Sequence, residues 1–209
     1  MMTYFYGSVI LSNCLLLAAF IYGSSNKQLF GNKSIKWFIT YLGFILSIEI
    51  ITLFLIYILN SDYSSITYPC YITGEFFILS NMFIFSLGLS SKWRLLAGIL
   101  SFVLFIEAIT LWYYQTSFTP GYGKIFSHIS IICMAGYLLI KNLKELETHN
   151  PFTIIYAALF LYYAVSLFLF LLMNQLTEAN IILWIMNNVL SSILYGTSIY
   201  TFYQLKKSI

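Results

Sequence analysis

Three carboxylates, Glu49, Glu75 and Glu107, lie inside long apolar stretches of the chain. A charge at the centre of a spanning helix costs about 2.5 to 3.5 kcal/mol on insertion scales, so such groups are kept where they face a protein interior, water or one another. Three acids in one low-dielectric site cannot all stay ionised without a cation, and at least one is expected to hold a proton at neutral pH. The chemistry open to them is proton uptake, cation binding or acid and base catalysis by a pair. His128 is the one histidine inside an apolar stretch and could serve as a cationic partner at mildly acid pH. No Lys or Arg is expected to pair with the acids within the bilayer.

The remaining polar candidates fall on two segments. Trp184, Asn188, Ser191 and Tyr195 recur at helical spacing on one face, with Asn187 and Ser192 beside them. Tyr156, Tyr163 and Ser166 share a face of the preceding segment, with Tyr162 adjacent. Glu49, Glu75, Glu107, His128, Tyr163, Trp184, Asn187 and Asn188 are therefore the candidate ligand-binding set. The structural alternative is that Asn, Ser and Tyr tie helices together by hydrogen bonds, each typically worth under about 2 kcal/mol.

The elements that must position these residues are membrane helices. Of 209 residues, 60% are hydrophobic and 8% charged, whereas roughly a quarter of a soluble domain is charged. Seven apolar segments approach the about 20 residues needed to cross the hydrocarbon core: 4–22, 35–59, 69–90, 95–115, 124–140, 152–174 and 181–204. The fold class is thus all-α, a single polytopic seven-transmembrane bundle over 1–209. The third segment, Pro69 to Ser90, is the most unusual because Glu75 interrupts it, and the fifth is the shortest. Pro69, Pro120 and Pro151 sit at or just before helix starts, where a missing N–H costs little. The first segment follows no basic region and precedes no cleavage pattern, so it reads as a retained helix.

Orientation follows from the loops. Lys27, Lys33, Lys36, Lys92, Arg94, Lys141, Lys144, Lys206 and Lys207 fall on one side and Lys124 alone on the other. By the positive-inside rule the N-terminus is outside and the C-terminus cytoplasmic. Tyr63, Tyr68, Tyr71, Trp112, Tyr113, Tyr114 and Tyr122 fit an outer aromatic belt, and Trp37, Trp93, Phe152 and Tyr203 an inner one. Counted from the segment ends at 1.5 Å per residue, Glu75 lies roughly 9 Å deep, Glu107 roughly 12 Å and Glu49 roughly 15 Å, with His128 about 6 Å and Asn187 and Asn188 about 9 to 10 Å in. Small residues, among them Ser86, Gly88 and Ser90, continue towards the inner surface.

Several classes are excluded or unsupported. Two histidines, His128 and His149, cannot build a multi-histidine zinc site, and no metal or cofactor is implied. The cysteines, Cys14, Cys70 and Cys133, lack CxxC spacing and read as small packing residues. The last segment has no lysine for a retinal Schiff base, and no Walker loop, GxSxG or HExxH occurs. The net charge of +3 is loop orientation charge, so no nucleic-acid partner is expected; the partners are the lipid bilayer and a membrane or cytoplasmic signalling protein.

YPCYITGEFF, together with the run that begins NPFTIIYAALFLYYAVSL and with ILWIMNNVLSSILYG, resembles small seven-helix membrane proteins of the Bacteroidota, some of them similar to the membrane sensor halves of bacterial histidine kinases. The residues that carry it are Pro69, Glu75, Pro151, Tyr163, Trp184 and Asn188. The resemblance implies a sensor or accessory subunit of a bacterial inner membrane. With no kinase domain before Ile209, such a subunit would signal through a separate partner. A proton- or cation-coupled transporter or channel, and an intramembrane lipid-modifying enzyme with a Glu pair, are the alternatives.

Overall fold

The computed structural model describes residues 2–58, 66–114, 121–144, 151–173 and 180–208. Most of the inter-helix connectors, including Tyr63, Pro120 and His149, lie outside the described residues. The described chain is all-helical, with α1 Met2–Ser25, α2 Lys33–Tyr57, α3 Thr67–Ser86, α4 Ser91–Tyr113, α5 Tyr122–Lys144, α6 Thr153–Met173 and α7 Asn180–Ser208, and a short 3-10 turn at Lys27–Gly31. Six of the seven are long and apolar enough to cross a membrane, which makes this a multi-pass membrane protein by length and composition. The exception is α3.

That exception has a physical basis in burial. Eleven residues of α3 are buried, among them Glu75, Phe76, Leu79, Asn81 and Phe83, whereas α4 exposes Leu95, Ile99, Phe102, Ile106 and Ile109 along one stripe. A helix surrounded by protein need not match the polarity of lipid, and its polar residues are satisfied internally. The fifth segment, expected to be the shortest, extends over 23 residues and is as long as α4. Its polar positions Ser127 and His128 are buried and do not shorten it.

The chain divides into two compact units, one formed by Met1–Asn32 with His128–Ile209 and the other by Lys33–Ser127. In the first, α1 and α6 pack on α7, and Asn142 of α5 bonds Thr153 of α6 at 3.0 Å. In the second, α3 packs against both α2 and α4. Helices α2 and α3 are antiparallel in a register fixed at two points: the Phe44 ring lies where a Cβ on Gly74 would be, and Thr52 bonds Thr67 at 3.2 Å.

Helix α3 ends four residues before the expected boundary. Gly88 adopts φ 65°, Leu89 N–H donates to the Ile84 carbonyl at 3.0 Å and Gly88 N–H to Phe85 at 3.2 Å. These paired bonds across a left-handed glycine are a Schellman stop, so Gly88 terminates the helix and is not part of a small-residue lining within it. A side chain in this conformation costs roughly 1 to 2 kcal/mol. Gly88→Ala is expected to destabilise the protein by about that amount in mixed-micelle unfolding, and an unchanged midpoint would show that the stop is set elsewhere.

Candidate functional site

The eight candidate residues are shared between the units. Glu49, Glu75 and Glu107 belong to Lys33–Ser127, and His128, Tyr163, Trp184, Asn187 and Asn188 to the other. Each group is built differently.

In Lys33–Ser127 the most secluded acid is Glu75, 1% exposed. A carboxylate this buried must be hydrogen-bonded or paired. Tyr71, one helical turn earlier, donates its hydroxyl to Glu75 Oε1 at 2.9 Å, the i, i+4 neighbour geometry of a helix face. Lys124, at the start of α5, lies within electrostatic range of Glu75, and its ammonium sits 5.9 Å from the centre of the Tyr68 ring. Tyr68 in turn lies within electrostatic range of both Glu75 and Glu107. Lys124 is thus the basic residue, among those described, that comes within electrostatic range of Glu75. Lys124 had only the value of an orientation charge in the sequence, because its link to Glu75 spans two helices. Tyr68 and Tyr71, assigned to the outer aromatic belt, instead turn towards the acids; their amphipathic rings suit either place.

Glu107 has a partner of another kind. Its Oε1 accepts the Gly123 backbone N–H at 3.1 Å, so this α4 carboxylate caps the first turn of α5, where orphan amides and the helix dipole favour a negative charge. Gly123 leaves room for this contact, since a Cβ there would meet Glu107 Oε2 and displace the carboxylate. Beside this contact is a cavity of about 10 Å³ bordered by Tyr68, Glu107, Gly121, Gly123 and Lys124 on its polar side and by Ile72, Leu104 and Leu111 on its apolar side. It has room for about one water molecule. Glu75 is not in its wall; Tyr68 and Lys124, which do border it, are the groups linked to Glu75.

Helix register fixes the heights of the three acids relative to one another. The Phe44–Gly74 and Thr52–Thr67 contacts bring Glu49 level with Cys70. On the other side, Tyr68 and Ile72 share the cavity with Leu104 and Ala108, which brings Glu107 level with Tyr68. Glu75 therefore lies further from the start of α3 than the levels of the other two, by roughly 9 Å at 1.5 Å per residue. Because α2 and α4 run past the start of α3, the segment ends share no common height. Glu49 is half-buried, and among the described residues no hydrogen bond or ion pair joins it to the other two acids.

In the other unit His128, 3% exposed, meets the fully buried Tyr163 edge to face at 5.1 Å between ring centres, and Tyr163 meets Tyr162 at 5.0 Å. His128 is thus inside the unit and not an interfacial residue. Asn188 donates to Ser8 of α1 at 3.1 Å, an interhelical bond of the structural kind, while the carbonyl of Asn187 accepts Ser191 Oγ at 3.0 Å. Ser191 and Tyr195 are buried as the polar stripe requires, but Trp184, on the same face nearer the helix start, is 49% exposed. The buried face continues instead through Ser198, Thr201 and Phe202. All three cysteines are free and exposed, so they do not act as packing residues. Among the described residues no three His, Cys, Asp or Glu side chains form a group able to hold a metal ion.

The groups missed in the sequence are Tyr68, Tyr71, Gly123 and Lys124. Only Tyr71 had a local signal, its spacing of one turn from Glu75.

The cap gives a sharp test. Glu107→Ala is expected to cost about 0.5 to 2 kcal/mol, and Gly123→Ala a comparable amount by driving the carboxylate away. On the Glu107→Ala background the Gly123→Ala cost should shrink, because the closest contact is gone, of the nearest neighbours only Leu104 Cδ2 at 3.2 Å still has to give, and alanine favours a helix. Strictly additive losses in mixed-micelle unfolding would contradict the contact.

Comparison with protein-family models, curated proteins and solved structures finds no match to this chain.

Proposed function

We propose that the chain is a membrane-embedded, proton-responsive sensor or accessory subunit. In this reading Glu75 exchanges a proton, its bonding to Tyr71 and its interaction with Lys124 change, and the packing of α3 between α2 and α4 shifts with them. A separate membrane or cytoplasmic partner reads the shift. The chain inserts with its N-terminus outside and its C-terminus in the cytoplasm of a bacterial inner membrane, as the distribution of its basic residues favours.

The observation that carries this reading is a carboxyl group 1% exposed, hydrogen-bonded by a phenol and within range of an ammonium. Intramembrane ionisable groups with named partners are the usual seat of proton-linked function. The size of the neighbouring cavity, about 10 Å³, favours a proton or a water over an organic ligand, whose pockets run to roughly 300 to 1,000 Å³. The same limit weighs against a lipid-modifying enzyme, which must admit a scissile bond between its acid and base.

A second reading, proton-coupled transport, draws on one feature. Below Glu75 on α3, Ser80 and Asn81 are both buried and extend the polar positions towards the other end of the helix. Proteoliposomes showing a proton flux that Glu75→Gln abolishes would favour this reading over a sensor.

A group that exchanges a proton differently in the folded and unfolded states makes stability depend on pH. The native protein is expected to change its thermal midpoint and tryptophan emission between about pH 5 and pH 8, the range open to tuned carboxyl groups. Glu75→Gln should flatten both profiles while remaining folded. Tyr71→Phe, which removes the phenolic donor, should displace the midpoint of the transition without abolishing it. Profiles identical in the native protein and Glu75→Gln would overturn the proposal.

A further inference from the structure

A second cluster of charge lies at the far end of α3, away from the acids. The Phe85 ring is approached from two helices at once: the Lys33 ammonium, at the start of α2, is 5.7 Å from its centre, and the Arg94 guanidinium, in the first turn of α4, is 5.1 Å away. Trp37 stacks on the same ring at 6.4 Å with an interplanar angle of 22°. The two cationic centres are thus at most about 11 Å apart. Each is attracted to the ring face, but together they repel. Among the described residues neither Lys33 nor Arg94 meets a carboxylate, and the described acids of this unit, Glu49, Glu75 and Glu107, all lie towards the other end of their helices.

We propose that Lys33, Arg94 and the Phe85 ring between them bind the phosphate headgroup of an anionic phospholipid. Two exposed cations on long side chains close on one phosphate and lose their mutual repulsion, with Arg94 able to bind it in bidentate fashion. The starts of α2 and α4 add their partial positive charge at this end, and Ser90, the cap of α4, makes no side-chain hydrogen bond to the helix amides. The surroundings point to a lipid as the source of the phosphate. Trp93 and Leu95, on either side of Arg94, are 51% and 68% exposed, and Leu89 and Leu96 are exposed nearby, an apolar border suited to acyl chains below a headgroup. Basic pockets between membrane helices are a recurrent form of headgroup recognition.

The test uses the full chain in detergent with added phosphatidylglycerol, phosphatidylcholine of the same acyl chains, or inorganic phosphate, read by native mass spectrometry and thermal midpoint. Phosphatidylglycerol should remain bound and raise the midpoint, and the other two should not. The double variant Lys33→Gln/Arg94→Gln should bind it roughly tenfold or more weakly. Lys36→Gln/Lys92→Gln removes the same charge from exposed positions outside the cluster and should bind like the native protein. Lys33→Arg keeps the charge and should also retain binding, which separates loss of the site from loss of the fold. Equal retention of phosphatidylcholine, an equal rise in midpoint with inorganic phosphate, or equal weakening in the two double variants would overturn the proposal.

Discussion

A carboxyl group buried among apolar helices has no water to fall back on, so the protein around Glu75 has to supply what solvent would. Desolvating an unpaired charge costs several kcal/mol, while a hydrogen bond to a charged group returns about 1.5 to 3 kcal/mol. The arrangement around Glu75 reflects that balance. Tyr71 donates from one turn earlier on the same helix, and Lys124 comes within range from the start of α5. The first is a local contact available as soon as α3 forms. The second exists only once α5 begins at the right height, and that start is held by Glu107 through its bond to the Gly123 amide. The two acids of this cluster thus have different parts: Glu107 bonds the first turn of a helix, and Glu75 takes the Tyr71 hydroxyl with Lys124 of that helix within electrostatic range.

This division explains why α3 departs from the composition of its neighbours. It is the one helix of the seven not apolar enough to cross a membrane by itself, and it is the helix packed on both sides within its unit. Polar residues tolerated there, including Ser80 and Asn81, are buried against protein, and Asn81 turns its amide back to the Phe77 carbonyl at 2.8 Å. The exposed apolar stripe of α4 shows the opposite pattern, a helix with one face towards protein and one suited to lipid. The Lys33 and Arg94 pair lies at the end of the unit away from the acids, whereas Lys124 lies among them.

The helical class and all seven elements were legible in the sequence, because length and hydropathy dominate the physics of a bilayer-spanning chain. Glu75 as a buried group was legible too, as was the buried tyrosine face of α6 at Tyr156 and Tyr163 with Tyr162 beside it. What could not be read was register. The heights of Glu49 and Glu107 relative to Glu75 depend on contacts such as Phe44 on Gly74, which no count from a segment end anticipates. Lys124 was hidden for the same reason, its partner lying on a different helix far back in the chain. At Trp184 the spacing rule names a face without fixing where on the helix that face stops being buried. Asn188 had both meanings in the sequence, and its bond to Ser8 gives it a structural role.

The account stands or falls on Glu75 as the group that exchanges a proton. Infrared difference spectroscopy between acid and neutral buffer reads this directly, through the carbonyl stretch of a protonated carboxyl group in a buried environment. The account predicts one such band in the native protein, displaced by Tyr71→Phe and missing from Glu75→Gln. A spectrum with no buried carboxyl band, or one whose band survives unchanged in Glu75→Gln, would contradict it.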